Sequence, residues 1–171
     1  MGNQLEMVRA ILSTTAARWS SLTENVPLEV LVRTPAPGEW SAMDCLCHLL
    51  DAERWVFSVR VQALLSGKNF VAFDPDTQGT HYTTQSPEQL AREFARLRKA
   101  NLVEFDQVTS GDLIRTAQHS ELGTVTLGEL VHEWAAHDLM HTVQAERAMM
   151  QPFILASGPW RPHFHDHDVS K

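Results

Sequence analysis

Cysteine is almost absent from this sequence: Cys45 and Cys47 are the only two. Two residues apart on a helix, they would lie about 200° apart around its axis and could not close a disulfide. Nothing therefore suggests a disulfide-stapled secreted scaffold. A basic surplus is missing too: 14 Lys and Arg stand against 21 Asp and Glu, a net charge of −7. That is the wrong sign for a dedicated nucleic-acid binder, whose partner's phosphates need a cationic face. No apolar run approaches the length of a membrane span. No segment repeats or is of low complexity. The opening MGNQLEMVRA carries charge and lacks the apolar run of a secretion signal. A cytoplasmic protein with no nucleic-acid or membrane partner is expected. Long β-branched runs are also lacking, since Val30-Leu-Val32 and Thr124-Val-Thr126 are too short to suggest a sheet.

What is present is a chain of 171 residues with 43% hydrophobic content, enough for one domain with a real core. Apolar residues recur at helical spacing in four stretches. The first runs from about Gln4 to Leu22 and gives way to an irregular connection holding Pro27, Pro35, Pro37 and Gly38. The second starts at Ser41, where Ser41-Ala-Met-Asp44 has the form of a capping box, and runs to about Ser66. Residues 67–85 show no period and read as a loop. The third begins at Ser86-Pro87-Glu88 and reaches about Val108. The fourth follows the capping pattern Thr126-Leu-Gly-Glu129 and reaches about Met149, with Pro152 ending it. From Gly158 onward an extended or irregular segment is expected. The fold class is all-α: a four-helix bundle over residues 1–157 with long loops, then an irregular C-terminal tail over 158–171.

Nine histidines are many for this length, and they are the first place to look for chemistry. His137-Asp-Leu-Met-His141 lies in the fourth helix. Histidines at i and i+4 are about 40° apart in angle and about 6 Å along the axis, so both imidazoles can converge on one ion. Leu127, Leu130, Trp134 and Ala148 share their stripe, which should face inward. Buried imidazoles need strong partners, and a metal supplies one for both. A wetted polar stripe is the plain alternative. His48, on the second-helix stripe of Ala52 and Trp55, is the natural third ligand, although a lone His on an apolar face is more often a hydrogen-bonded core residue. Three His ligands leave coordination positions open, as in a reactive site and unlike a closed structural one.

Gly38-Glu-Trp40-Ser41, followed by His48-Leu-Leu-Asp-Ala-Glu53, resembles the second-helix signature of the DinB superfamily. His137-Asp-Leu-Met-His141-Thr-Val-Gln144 resembles its fourth-helix signature. Order, separation and loop punctuation also match, so the resemblance spans nearly the whole chain. It implies a four-helix bundle whose connection order sets the second and fourth helices side by side. It also implies one divalent metal held by His48, His137 and His141. Relatives include thiol-dependent transferases and isomerases that use low-molecular-weight thiols such as bacillithiol or mycothiol.

Glu133 and Gln144 fall on the ligand stripe, one turn from His137 and His141. Glu133 is the candidate catalytic residue, for proton transfer, and either side chain is placed to orient a ligand. Asp51 and Asp138 flank the ligand faces as candidate acceptors of an imidazole N–H. His132 points away from the stripe. His81 and His119 read as exposed loop residues, and His163, His165 and His167 would share one side of an extended tail. Cys45 and Cys47, Trp40 and Trp55 read as packing residues. The site should be walled by residues 67–85 and 110–125, with Trp160 or His163 from the tail. The favoured expectation is a metal-dependent enzyme, a thiol-dependent transferase or a hydrolase, acting on a small electrophilic substrate. Imidazole ligands suit Zn²⁺, Ni²⁺ or Fe²⁺ alike. The alternative is a non-catalytic stress protein that binds metal or a small ligand. A homodimer is expected.

Overall fold

The computed structural model describes residues 4–80 and 84–170. In chain order the helices are α1 (Gln4–Asn25), the single turn α2 (Leu28–Leu31), α3 (Ala42–Trp55) continued by α4 (Phe57–Leu65), the single turn α5 (Pro75–Gln78), α6 (Pro87–Phe105) and α7 (Leu127–Ala156). Three of the long helices begin with complete capping boxes, Ser41 with Asp44, Ser86 with Gln89 and Thr126 with Glu129. Each box satisfies two backbone N–H groups reciprocally. No helix among the described residues is long and apolar enough to cross a membrane.

Helix α1 packs on α6 and α7, and α3 packs on the same two. That leaves α1 and α3 on one diagonal of a four-helix bundle and α6 and α7 on the other. The buried apolar residues form two clusters, one around Val8, Leu12, Val56, Leu102 and Trp134, the other around Trp19, Leu46, Leu50, Phe94 and Met149. Every long helix passes from one cluster to the other, so the clusters give the directions. α1 and α7 run one way and α3 and α6 the other. Between the clusters lies a buried polar belt of Thr15, Glu53, Arg98, Asp138, His141 and Thr142.

Because α3 and α6 run in the same direction, the chain between them must travel back along the bundle. Residues 67–80, within the segment read as a loop, belong to this return crossover and include the single turn α5. The crossover is pinned where Asp51 accepts Thr80 N–H at 2.6 Å and Thr80 Oγ1–H at 2.8 Å. Asp51 therefore holds the crossover and not an imidazole.

The structure departs from the sequence expectation at several elements. The second helix breaks at Val56 (φ −113°, ψ −73°) instead of running unbroken to Ser66. Asn101 Nδ2 donates to Glu53 O at 2.9 Å, taking the carbonyl that Phe57 N–H would use in a regular helix. A small sheet exists after all: β1 (Thr116–His119) pairs antiparallel with β2 (Gly123–Thr126). Its turn is local chemistry, with Gly123 at φ +75° and His119 Nδ1 accepting from the N–H groups of Glu121 and Leu122. His119 is accordingly buried, not exposed. The third helix stops at Phe105. The fourth passes through Pro152 to Ala156, and Gly158 at φ +54° turns the chain instead. A proline so near a helix end removes a single hydrogen bond, which the remaining turns tolerate.

Residues beyond Ser157 are neither extended nor loose. Gly158–Phe164 forms a 3-10 helix, and the chain then folds back onto α7. Gln151 clasps it there, Nε2 donating to His167 O at 2.9 Å and Oε1 accepting from Val169 N at 3.1 Å. His163, His165 and His167 are exposed. Trp55, expected in the core, is 62% exposed, at the edge of a surface hollow that it lines with Val59 and the crossover's Phe70 and Phe73.

Candidate metal centre

The adjacency of α3 and α7 brings His48 against the i, i+4 pair on α7. His48 Nε2 lies 3.0 Å from His137 Nε2. One ring nitrogen from each of His48, His137 and His141 falls within 4.8 Å of the others. The ring centroids are 4.5 to 5.0 Å apart. Nitrogens bound at 2.0–2.1 Å in a tetrahedral site stand about 3.3 Å apart, so this spacing fits a shared divalent ion.

The surroundings favour ligation over simple core packing. Gln144 Oε1 accepts from His141 Nδ1–H at 2.8 Å, which leaves the Nε2 lone pair free for an ion. His137 Nδ1 is buried with no hydrogen-bond partner. Trp40 stacks on His141 with centroids 5.6 Å apart and leans on His48 at 5.0 Å. Phe57 meets His137 edge to face at 5.1 Å. Burial lowers the pKa of all three rings. Desolvation, then His141, brings His48 down to about 4. Desolvation, then His141 and His48, brings His137 down to about 3. His141 is lowered by desolvation, opposed by its bond to Gln144. Neutral imidazoles at pH 7 are the form that binds metal.

His48 also lines a cavity of about 310 Å³ whose walls include Trp40, Asp44, Cys47, Asp51 and, from the crossover, Thr80. On the far side of Trp40 a second hollow of about 380 Å³ is lined by Gln144, Arg147 and the tail's Val169. The tail thus contributes Val169 to the hollow that Gln144 lines, whereas Trp160 and His163 are exposed and line neither hollow.

The DinB superfamily model matches residues 11–145. The chain belongs to the DinB superfamily. Among solved structures, this DinB protein is similar to YfiT from Bacillus subtilis, described as a probable metal-dependent hydrolase with an unusual four-helix bundle topology. The two share 15% identity at a TM-score of 0.75, over 86% of this chain and 87% of that one. At that identity the likeness establishes the fold. A search of curated proteins finds no match.

The other sequence candidates fall in different places. Glu133 is exposed one turn before His137, yet desolvation of its carboxyl raises its pKa, with Arg60 opposing. Cys45 and Cys47 are pushed up to about 12 and about 11, chiefly by burial, so neither is a ready thiolate. His81 lies outside the described residues. Asp138 accepts no imidazole proton; it is paired with Arg98, at 2.6 Å from Nη1. Arg98 is the buried residue that sequence reasoning missed. Its signal was present: it follows Phe94 by four positions on the apolar stripe of α6, where a cation requires buried acidic partners.

Proposed function

We propose that this DinB protein is a metal-dependent enzyme acting on a small electrophilic substrate, as a hydrolase or as a thiol-dependent transferase. The observation that carries the reading is the convergence of three neutral imidazoles, His48, His137 and His141, beside a cavity that His48 itself lines. They would hold one Zn²⁺, Ni²⁺ or Fe²⁺. Such an ion supplies Lewis acidity that lowers the pKa of a bound nucleophile towards neutrality.

The chain's own groups do the rest. Gln144 fixes the His141 ring, and Trp40 and Phe57 exclude water from the ligand faces. Glu133, one helical turn before His137 on α7, is the proposed acceptor for the proton of the attacking water or thiol. In the hydrolase reading the water oxygen bonds to the electrophilic carbon, and the leaving group departs with a proton. In the transferase reading a thiol sulfur forms the new bond in its place. Besides His48 and Cys47, the ionisable groups among the described cavity walls are Glu39, Asp44 and Asp51, all acidic. Neutral or amine-bearing molecules suit such walls better than anionic ones.

The test is turnover by metal-loaded protein on an ester and alkyl-halide panel, with water alone and with neutral and anionic thiols. Activity lost in H137A and reduced in E133Q supports the reading. Stoichiometric metal without turnover across the panel would favour a non-catalytic metal- or ligand-binding role.

A further inference from the structure

Arg98, Glu53 and Asp138 are each only 1% exposed, and together they form the centre of the polar belt. The guanidinium is bidentate to both acids. Nε and Nη2 donate to Glu53 Oε1 and Oε2, each at 2.8 Å, while Nη1 and Nη2 donate to Asp138 Oδ2 and Oδ1 at 2.6 and 3.0 Å. Nη1 also donates to Leu12 O on α1 at 2.8 Å. Phe94 and Trp134 pack on the guanidinium, with ring centroids 4.9 and 5.5 Å from Cζ. Asn101 Nδ2 adds a bond to Glu53 Oε1 at 3.0 Å. One side chain of α6 therefore grips α1, α3 and α7 at a single level.

Stability does not by itself account for such a group. Apolar residues of similar volume commonly replace a buried ionic triad at no cost or with a gain. Its position is more informative. Asp138 directly follows His137, and Glu53 follows His48 by five residues on the same helix. The two acids that share Arg98 thus belong to the two helices that share the ligand set. Metal–ligand distances tolerate about 0.2 Å, whereas a slip of one residue along a helix is about 1.5 Å. A rigid planar fork holding both carboxylates removes that freedom.

We propose that the Glu53–Arg98–Asp138 triad is a positioning device for the metal centre, setting the register of α3 against α7 so that His48 meets His137 and His141. The inference rests on the metal-centre reading and assigns to it residues that touch no ligand atom.

Cobalt(II) titration of untagged, metal-free protein tests it, read as affinity and as the visible absorption of the bound ion, which reports ligand geometry. Two variants are compared with the wild type. R98K keeps the charge and loses the fork. E53L/R98M/D138L removes all three charges together, so no buried ion is left unpaired. Both should stay helical, yet bind cobalt at least about 10-fold more weakly and with a shifted spectrum. Wild-type affinity and spectrum in either folded variant would overturn the proposal. Weak binding accompanied by loss of helicity in both would assign the triad to folding alone and overturn it equally. A wild-type protein that takes up no cobalt would overturn the metal centre itself, and this proposal with it.

Discussion

At the scale of single residues, the centre depends on side chains whose ordinary solution behaviour is suppressed. His48 and His137, held to about 4 and about 3, stay neutral in conditions that protonate a free imidazole. The sign of the resulting pH dependence follows. In the metal-free protein the folded pKa values lie below the unfolded value of about 6.5, so acid favours the unfolded chain. Stability should be level above pH ~6.5 and fall as the pH drops through the window down to about 4 and about 3. Urea titrations of metal-free protein between pH 7.5 and 4.5 check this, and a flat profile would contradict the burial of the rings. H137A/H141A should abolish stoichiometric metal by mass spectrometry of untagged protein. Retained occupancy would move the site to the tail histidines or elsewhere. Q144A should keep the fold but weaken metal binding by about 10-fold, because it frees the His141 ring to rotate.

At the scale of elements, the break at Val56 and the clasped tail are the two devices that a straight-helix picture lacks. Asn101 bonds both the backbone and the side chain of Glu53, at 2.9 and 3.0 Å. N101A leaves a carbonyl and a buried carboxylate oxygen each short of a donor. It should destabilise the protein by about 1–3 kcal/mol in denaturant titrations, since a hydrogen bond to a charged group is lost. A neutral effect would mean that α3 and α4 break for another reason. Truncation after Ser157 removes Val169 from the hollow beside Gln144 and frees Gln151. Metal content should persist, because no ligand is in the tail, while the affinity of a metal-directed inhibitor should change. Equal affinity in both forms would remove the tail from the site.

At the scale of the whole molecule, two apolar clusters lie on either side of the polar belt, so the bundle has its own core at both ends. Metal removal should therefore loosen the belt without unfolding the chain, unlike a zinc finger, which has little core of its own. A chelator is expected to lower the melting temperature while far-ultraviolet helicity at room temperature stays unchanged. Collapse of helicity on chelation would show that the ion is the main staple.

Local chemistry was legible in the sequence because it is settled within a few residues. The capping boxes at Ser41 and Thr126, the N-cap at Ser86, the four apolar stripes and the His137/His141 pair all follow from spacing along one chain segment. The resemblance carried by residues 38–53 and 137–144 extended this to the bundle and to His48. Residues whose roles depend on another helix were legible at most as anomalies. Arg98 reads as an interruption of the α6 stripe until Glu53 and Asp138 arrive from α3 and α7. Asp51 reads as a neighbour of the ligands until the crossover brings Thr80 to it. Trp55 shares the stripe of His48 yet is exposed, because a stripe is buried only where a neighbouring element covers it. Periodicity fixes which residues share a face of a helix. What that face meets is decided by helix direction and diagonal order, which arise only when all four helices pack.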